Sequence, residues 1–475
     1  MTVNPKRFRL FFGIFFFTVL MVTGAAASAF GATYYIDWGQ GNDQNSGTSK
    51  SSPWKRHPYM NGWSGSYSHS PGDVFIFRGG VTWPNSCFAL LISSGGSSSA
   101  PDRYDVDKSW YQGSSWSRPV FDLQNQGMPR DSRPIRITNV SNVVVRSIEV
   151  RNQKIISGQE YSRGGISVEG SSGILIEDCY LHDWDVSGTS VDSTFGGVTS
   201  ASSSGVIVRQ LRVHGPQLSG GKSSGCGLDG DYQEISGCDI SNVSTGLKVS
   251  GTVEGCTIYN VLDSFDSARH ENGAWLNPGT VFFNNVMHDV TVGTAVYPIP
   301  GWGGRSGTIE VYNNVVYNTG PIPIQVDPSG SVASSFTTVR VFNNSLQHGS
   351  ACIRVVPRSY PVSVLDIRNN LLVSDTSETI CVGGSCGGAD SLTERSNVSL
   401  SSSKAATQGL ATSSLLEPNA NAVSVVDAGE PLASTYRHDF RGILRPQGNG
   451  WDVGAFEWTG TAVTIAPPRN LRVGD

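Results

Sequence analysis

Residues 282–289 read FFNNVMHD, two adjacent asparagines inside an otherwise apolar run. Asn is a poor strand former, and a buried amide without partners is costly. The pair has siblings downstream: EVYNNVVYN (310–318), RVFNNSLQH (340–348) and DIRNNLLVS (366–374). Their second asparagines, Asn285, Asn314, Asn344 and Asn370, stand 29, 30 and 26 residues apart. A weaker copy, ERSNVSLS, places Asn397 a further 27 residues on. Upstream the same slot holds Ile148, Cys179, Leu211, Cys238 and Cys256, at spacings of 31, 32, 27 and 18, then 29 into Asn285. About ten copies of one motif thus recur between residues 142 and 403. Self-similarity at this period marks a repeat architecture.

Each copy holds short alternating runs such as VVVRSIEV and GILIEDCYL. A second block recurs between them: GISVEG (165–170), GVTSAS (197–202), GCGLDG (225–230), GLKVSG (246–251), GAWLNP (273–278), AVYPIP (295–300), PIQVDP (323–328) and CIRVVP (352–357). Alternation with β-branched residues predicts strands. No unit can bury its apolar face alone, so the units must stack. The predicted fold is all-β, a parallel β-helix with one coil per unit. Equivalent residues then lie roughly 4.8 Å apart, and ten coils give an axis on the order of 50 Å. Stacked Asn amides form a ladder, each donating to the next. The pair marks a tight bend, where Asn tolerates unusual backbone angles.

The 475 residues include 56 Gly and are only 15% charged, which suits a β-rich chain with many turns. A net charge of −5 with scattered basic residues carries no footprint for nucleic acid or acidic membranes. Lys6, Arg7 and Arg9 precede an apolar run from Leu10 to Val22 and the small residues TGAAASAFGA. This predicts a secretory signal peptide over residues 1–29, cleaved after Ala29 or Gly31, and a secreted or periplasmic protein with no membrane span. In an oxidising compartment Cys381 and Cys386, which flank a Gly turn in CVGGSC, are the expected disulfide. Cys238 and Cys256 share the repeat slot and are expected to stack as small buried apolar groups rather than bridge.

Three further stretches carry a family resemblance: TYYIDWGQGNDQNSGTSKSSPW (33–54), SPGDVFIFRGGVTW (70–83) and HDFRGILRPQGNGWDVGAFEW (438–458). They resemble the opening, an early coil and the closing segment of right-handed parallel β-helix proteins of the pectate-lyase-like superfamily. The resemblance implies that residues 33–130 form an N-terminal cap and first coils, 131–403 the repeats, and 404–458 a closing segment. A tail follows at 459–475, whose APPRNLRV is similar to the first strand of a fibronectin type III domain. The resemblance also implies an extracellular polysaccharide partner bound in a groove along one outer face. A capped solenoid needs no partner chain, so a monomer is expected. Members of this superfamily include lyases, hydrolases and non-catalytic adhesins, so the fold leaves the activity open.

The second block supplies the candidate site. Ile166, Val198, Leu247, Val296, Ile324 and Ile353 share an inward slot. The neighbouring outward slot holds Ser167, Thr199, Gly227, Lys248, Trp275, Tyr297, Gln325 and Arg354. The next holds Glu169, Ala201, Asp229, Ser250, Asn277, Ile299 and Asp327. Trp275 and Tyr297 are candidate sugar platforms, and Gln325, Asp327 and Arg354 candidate readers of hydroxyl or carboxylate groups. The loop DSFDSARHENGAW brings Arg269, His270 and Glu271 toward the same patch, and GLDGD adds Asp231. Two chemistries fit. In β-elimination from a uronate, Lys248 or His270 is the base. Calcium held by Asp229, Asp231 and Glu271, or else Arg269, neutralises the carboxylate. In hydrolysis, Glu169 and Asp229 are the carboxylate pair, two coils apart and near the upper limit of the roughly 6.5–9.5 Å an inverting enzyme uses. Elimination is ranked first, hydrolysis second, and non-catalytic glycan binding in the same groove third. His182, His214 and His288, with Asp183 and Asp289, recur with the repeat and read as turn chemistry.

Overall fold

The computed structural model describes residues 31–127, 133–154, 164–185, 196–216, 222–263, 271–320, 322–329, 336–348, 350–410 and 415–460. Most coils contribute three short strands to three faces, and in two of them a single longer strand, Cys226–Ser236 or Thr245–Glu254, runs through the first and second faces. Coils stack in parallel register, as in Ile174↔Val206 and Val311↔Val341. The first and second faces join into one 22-stranded sheet, and the third is a separate sheet of 12 strands among the described residues. Eleven steps between twelve coils give ~53 Å. The interior is a column of aliphatic side chains: Ile166, Val198, Leu228, Leu247, Ala274, Val296, Ile324 and Ile353 lie above one another, each fully buried. Among the described residues helix is confined to Ser402–Thr407 and a few single turns.

The Asn pairs divide two tasks. The first residue of each pair turns the chain, with φ of 54° at Asn284, 53° at Asn313, 51° at Asn343 and 58° at Asn369. Asn adopts this left-handed region at low cost. The second residue points inward and builds the ladder. Asn314 Nδ2 donates to Asn344 Oδ1 (3.0 Å) and to the Phe282 carbonyl (3.0 Å), while its Oδ1 accepts from Asn285 N (3.0 Å) and Nδ2 (3.1 Å). The ladder begins at the Cys256 N–H, which donates to Asn285 Oδ1, and ends at Asn397. An Asn314→Leu protein keeps the volume, as Leu211 does in its own coil, but strands the Asn285 donors and the Phe282 carbonyl. At about 1–3 kcal/mol per orphaned buried group, a loss of about 3 kcal/mol is expected in denaturant unfolding.

Cys381 and Cys386 are bridged, and Cys238 and Cys256 are buried free thiols stacked in one column. Coils begin well before residue 142, because Thr33–Ile36 already pairs in register with Val74–Phe77. Between those strands an aromatic-rich excursion packs on the stack, with Tyr34 against Trp54 at 4.4 Å and Trp54 against Trp63 at 5.1 Å. His57 lies fully buried there, its Nδ1 accepting the Tyr59 N–H at 2.9 Å. Burial pushes its pKa well below the usual 6.5. The unfolded chain therefore takes up a proton near pH 6.5 that the folded chain refuses. Stability falls as pH drops below about 6.5, by about 1.4 kcal/mol per unit from this group. Unfolding curves of a His57→Phe variant should lose that increment of slope between pH 6.5 and 5.

The closing segment does two things. Residues 398–410 and 415–425 cover the last coils through Leu400, Ala405, Leu410, Leu416 and Val425. Residues 430–457 instead run back along the flank, where Phe440 and Phe456 pack on Val286 and Val315, and Tyr436 and Trp451 pack on Tyr312 and Phe342. Among the described residues no helix is long and apolar enough to cross a membrane. Residues 1–29, expected to be a signal peptide, and most of the 459–475 tail lie outside the described residues.

Candidate functional site

The first face carries an outward row whose register runs Ser167, Thr199, Asp229, Lys248, Trp275, Tyr297. It continues through Gln325, Arg354 and Cys381. Asp229 therefore shares the row of Lys248, and Asp231 pairs with Ser250 in the next row. The expected alignment had Gly227 and Asp229 in those places. The stretch GCGLDGD allows two frames that differ by two residues, and both preserve which side chains face in.

The Lys248 ammonium lies 5.7 Å from the Trp275 ring centre, and among the described residues no carboxylate stands within ion-pair distance of it. Trp275 and Tyr297 meet edge to face at 5.5 Å. They are only 8% and 7% exposed, with Ile299 of the following loop packed against them. The ring that solvent reaches is Trp302, 40% exposed and packed on Trp275 at 5.0 Å. It escaped the repeat analysis because it sits in a loop. Its signal was PGWGG, a glycine turn presenting one aromatic. From the same loop, Arg305 reaches Asp231 at 3.5 Å.

Farther along, Asp327 is 2% exposed and turned into a cluster rather than toward the groove. Arg358 grips it through Nε (2.7 Å) and Nη2 (2.6 Å), Ser329 donates to it, and so does the Tyr297 hydroxyl. Burial raises its carboxyl, but Arg358, Ser329 and Tyr297 outweigh burial and bring it down to about 2. Arg354 keeps a buried Nε with no hydrogen-bond partner. Gln325 stands beside it in register, half-buried.

The remaining candidates do not converge. Glu169 is held by Arg133 (3.1 Å) and Arg136 (3.0 Å). It shares the row of Ala201, and so of Asp231, not of Asp229. The diagonal from Glu169 to Asp229, two coils and two residues, is about 12 Å between backbones, beyond the span of an inverting pair. Glu271 precedes Asn272, which pairs with Thr245, whereas Asp231 pairs with Ser250. That separation is about 20 Å along the strand. Glu271 is likewise about 13 Å along the strand from Trp275, the register partner of Lys248. Calcium takes six to eight oxygens. Among the described residues no three His, Cys, Asp or Glu side chains gather to hold a metal, so Asp229, Asp231 and Glu271 do not fit one. Arg269 and His270 lie outside the described residues.

On the third face His182 and His214 are in register, and Tyr259, His288 and Tyr317 stack at 5.1 Å intervals. Their neighbours Asp183 and Asp289 take φ of 55° and 53°, so these aspartates serve the second turn of the coil. A cleft of about 370 Å³ opens between the flanking segment and the second face, lined by Glu310, Arg340, Phe342, Arg368 and Tyr436. Its charges are already matched, Arg340 to Glu310 at 2.6 Å and Arg368 to Asp366 at 2.5 Å.

The profile of the family described as right handed beta helix region matches residues 134–316. The chain is a right-handed parallel β-helix protein. Among solved structures, this β-helix is similar to a GH136 lacto-N-biosidase from Eubacterium ramulus, with a TM-score of 0.51 at 14% identity, covering 78% of this chain and 68% of that one. It is also similar to a pectate lyase (TM-score 0.48, 16% identity, 90% and 97% covered). A PL6 family polysaccharide lyase from Pseudopedobacter saltans is a third (TM-score 0.46, 11% identity, 81% and 95% covered). At these identities what is shared is the fold. No curated protein matches by sequence.

Proposed function

We propose that this β-helix is a secreted, carbohydrate-active protein that binds an acidic polysaccharide along its first face and cleaves it by β-elimination, with Lys248 as the base. The observation that carries the reading is the Lys248 amine. It sits on a row of outward side chains, against an aromatic wall, with no carboxylate in ion-pair range among the described residues. Arg354, four coils on and about 19 Å away, is a second cation on that row with an unsatisfied buried N–H. Cations left without acidic partners favour an anionic polymer laid along the axis. In the step itself the Lys248 ammonium first gives a proton to water, and the neutral amine then takes the C5 proton of a uronate. The electron pair forms the C4=C5 double bond, the C4–O bond breaks, and the leaving oxygen takes a proton from water.

A second reading, glycan binding without cleavage, draws on the distance of Glu271 from Lys248. A turnover screen on uronate-containing and neutral polysaccharides, with calcium and with chelator, separates the two. Unsaturated product absorbance establishes elimination. New reducing ends without that absorbance point to hydrolysis. Binding with no cleavage leaves a glycan-binding protein.

A further inference from the structure

The loop after Tyr297 reads Ile-Pro-Gly-Trp-Gly-Gly-Arg-Ser-Gly over residues 299–307. Its base is fixed: Ile299 is 1% exposed, and its N–H donates to the Leu276 carbonyl at 2.9 Å. Its tip is not. Gly303 and Gly304 hold φ of 66° and 72°, and nothing packs within 4 Å of where a side chain would start on either. From the coil of Tyr297 the loop lays Trp302 on Trp275, one coil back. It then meets Asp231, three coils back, through Arg305. The loop therefore spans about 14 Å and bridges the coil that carries Lys248. Among the described residues two contacts fasten the tip: one edge-to-face ring pair with centres 5.0 Å apart, and one ion pair at 3.5 Å whose side chains are 63% and 50% exposed. An ion pair that open to water holds a loop weakly.

We infer that residues 301–307 form a lid over the groove, and that Arg305 exchanges Asp231 for the carboxylate of an acidic sugar when the groove fills. The inference rests on the acidic-polysaccharide reading above and adds the residue that selects the charge. The exchange is carboxylate for carboxylate on one guanidinium, whose planar fork suits either partner. It sets a cation beside the uronate whose C5 proton Lys248 takes, the task that calcium or Arg269 was expected to fill. Trp302 closes over the sugar ring. A neutral sugar offers Arg305 nothing and leaves the pair with Asp231 in place.

The test uses the full mature chain. Calorimetric binding of polygalacturonate and of a neutral polymer is compared for wild type, Arg305→Gln, Asp231→Asn, and a double variant Asp231→Cys with Arg305→Cys. The thiols of the double variant are joined by a reducible bis-thiosulfonate linker, because the long Arg305 side chain sets the two backbones too far apart for a direct disulfide. Unfolding curves check that each folds. Arg305→Gln is expected to weaken polygalacturonate binding by about tenfold and leave the neutral polymer unchanged. Asp231→Asn, which frees Arg305, should tighten it. The linked double variant, with its lid shut, should lose binding and regain it when a reducing agent cleaves the linker. Wild-type binding that Arg305→Gln and the linked variant both leave unchanged overturns the lid and spares the groove. Equal weakening on the neutral polymer overturns the carboxylate exchange. No wild-type binding to the acidic polymer overturns the inference and the groove reading together.

Discussion

An Arg445→Met protein is expected to lose about 3–5 kcal/mol of stability. Arg445 is fully buried where the flanking segment crosses the coils. Its Nη1 donates to the Asp452 carbonyl (3.0 Å) and Glu457 Oε2 (3.2 Å), and its Nη2 to the Gly454 carbonyl (2.9 Å). Three carboxylates face it, and burial raises the pKa of Asp439, Asp452 and Glu457 alike. Methionine keeps the packing and removes the charge, so the loss reads the uncompensated carboxylates and carbonyls rather than a cavity. A double variant, Arg445→Met with Glu457→Gln, should recover part of it. The Gln oxygen still accepts from the Gln447 or Asp452 N–H, both now given to Glu457 at 2.7 and 3.0 Å. Denaturant unfolding measures the loss, and limited proteolysis shows whether the flanking segment leaves the stack first. A single variant as stable as wild type would show that the segment is held by its aromatic contacts alone.

The coil was legible because its chemistry repeats. A left-handed residue followed by a buried one must recur at every turn, so Asn284–Asn285 and its successors declare both the bend and the ladder. Upstream the same bend is made by Ser147, Asp178, Gln210, Gly237 and Gly255, all with positive φ, and the buried slot takes Ile, Cys or Leu. The site was harder to read because it is built where coils differ. The row of Lys248, Trp275, Tyr297, Gln325 and Arg354 followed from alternation. The frame of GCGLDGD did not, since a shift of two residues leaves the inward pattern intact. Loops escape periodicity altogether. Nothing in the repeat says that Arg358 turns back onto Asp327, or that Trp302 packs on Trp275. The flanking segment shows the same limit: the resemblance marked it as a closing segment, but only the fold sets it against Tyr312 and Phe342 rather than over the last coil.

Lys248→Ala is expected to lower kcat on a uronate polymer by about 10²–10⁴-fold, the usual contribution of a positioned general base. The KM should change little, because polymer binding is spread over Arg354, Trp302 and the rest of the groove. The fold should be unaffected, since among the described residues Lys248 enters no ion pair and its ammonium only lies over Trp275. Lys248→Arg is the sharper test. Arginine keeps a cation on the same row but does not give up its proton, so it can attract a carboxylate and cannot serve as a base. If Lys248 takes the C5 proton, the Arg variant binds the polymer and fails to turn it over, and the Ala and Arg variants share one low kcat. If Lys248 only attracts the polymer, the Arg variant retains turnover and the Ala variant loses through KM. Single-turnover formation of the unsaturated product, with binding measured separately, places the loss in the proton transfer or in the capture of the chain.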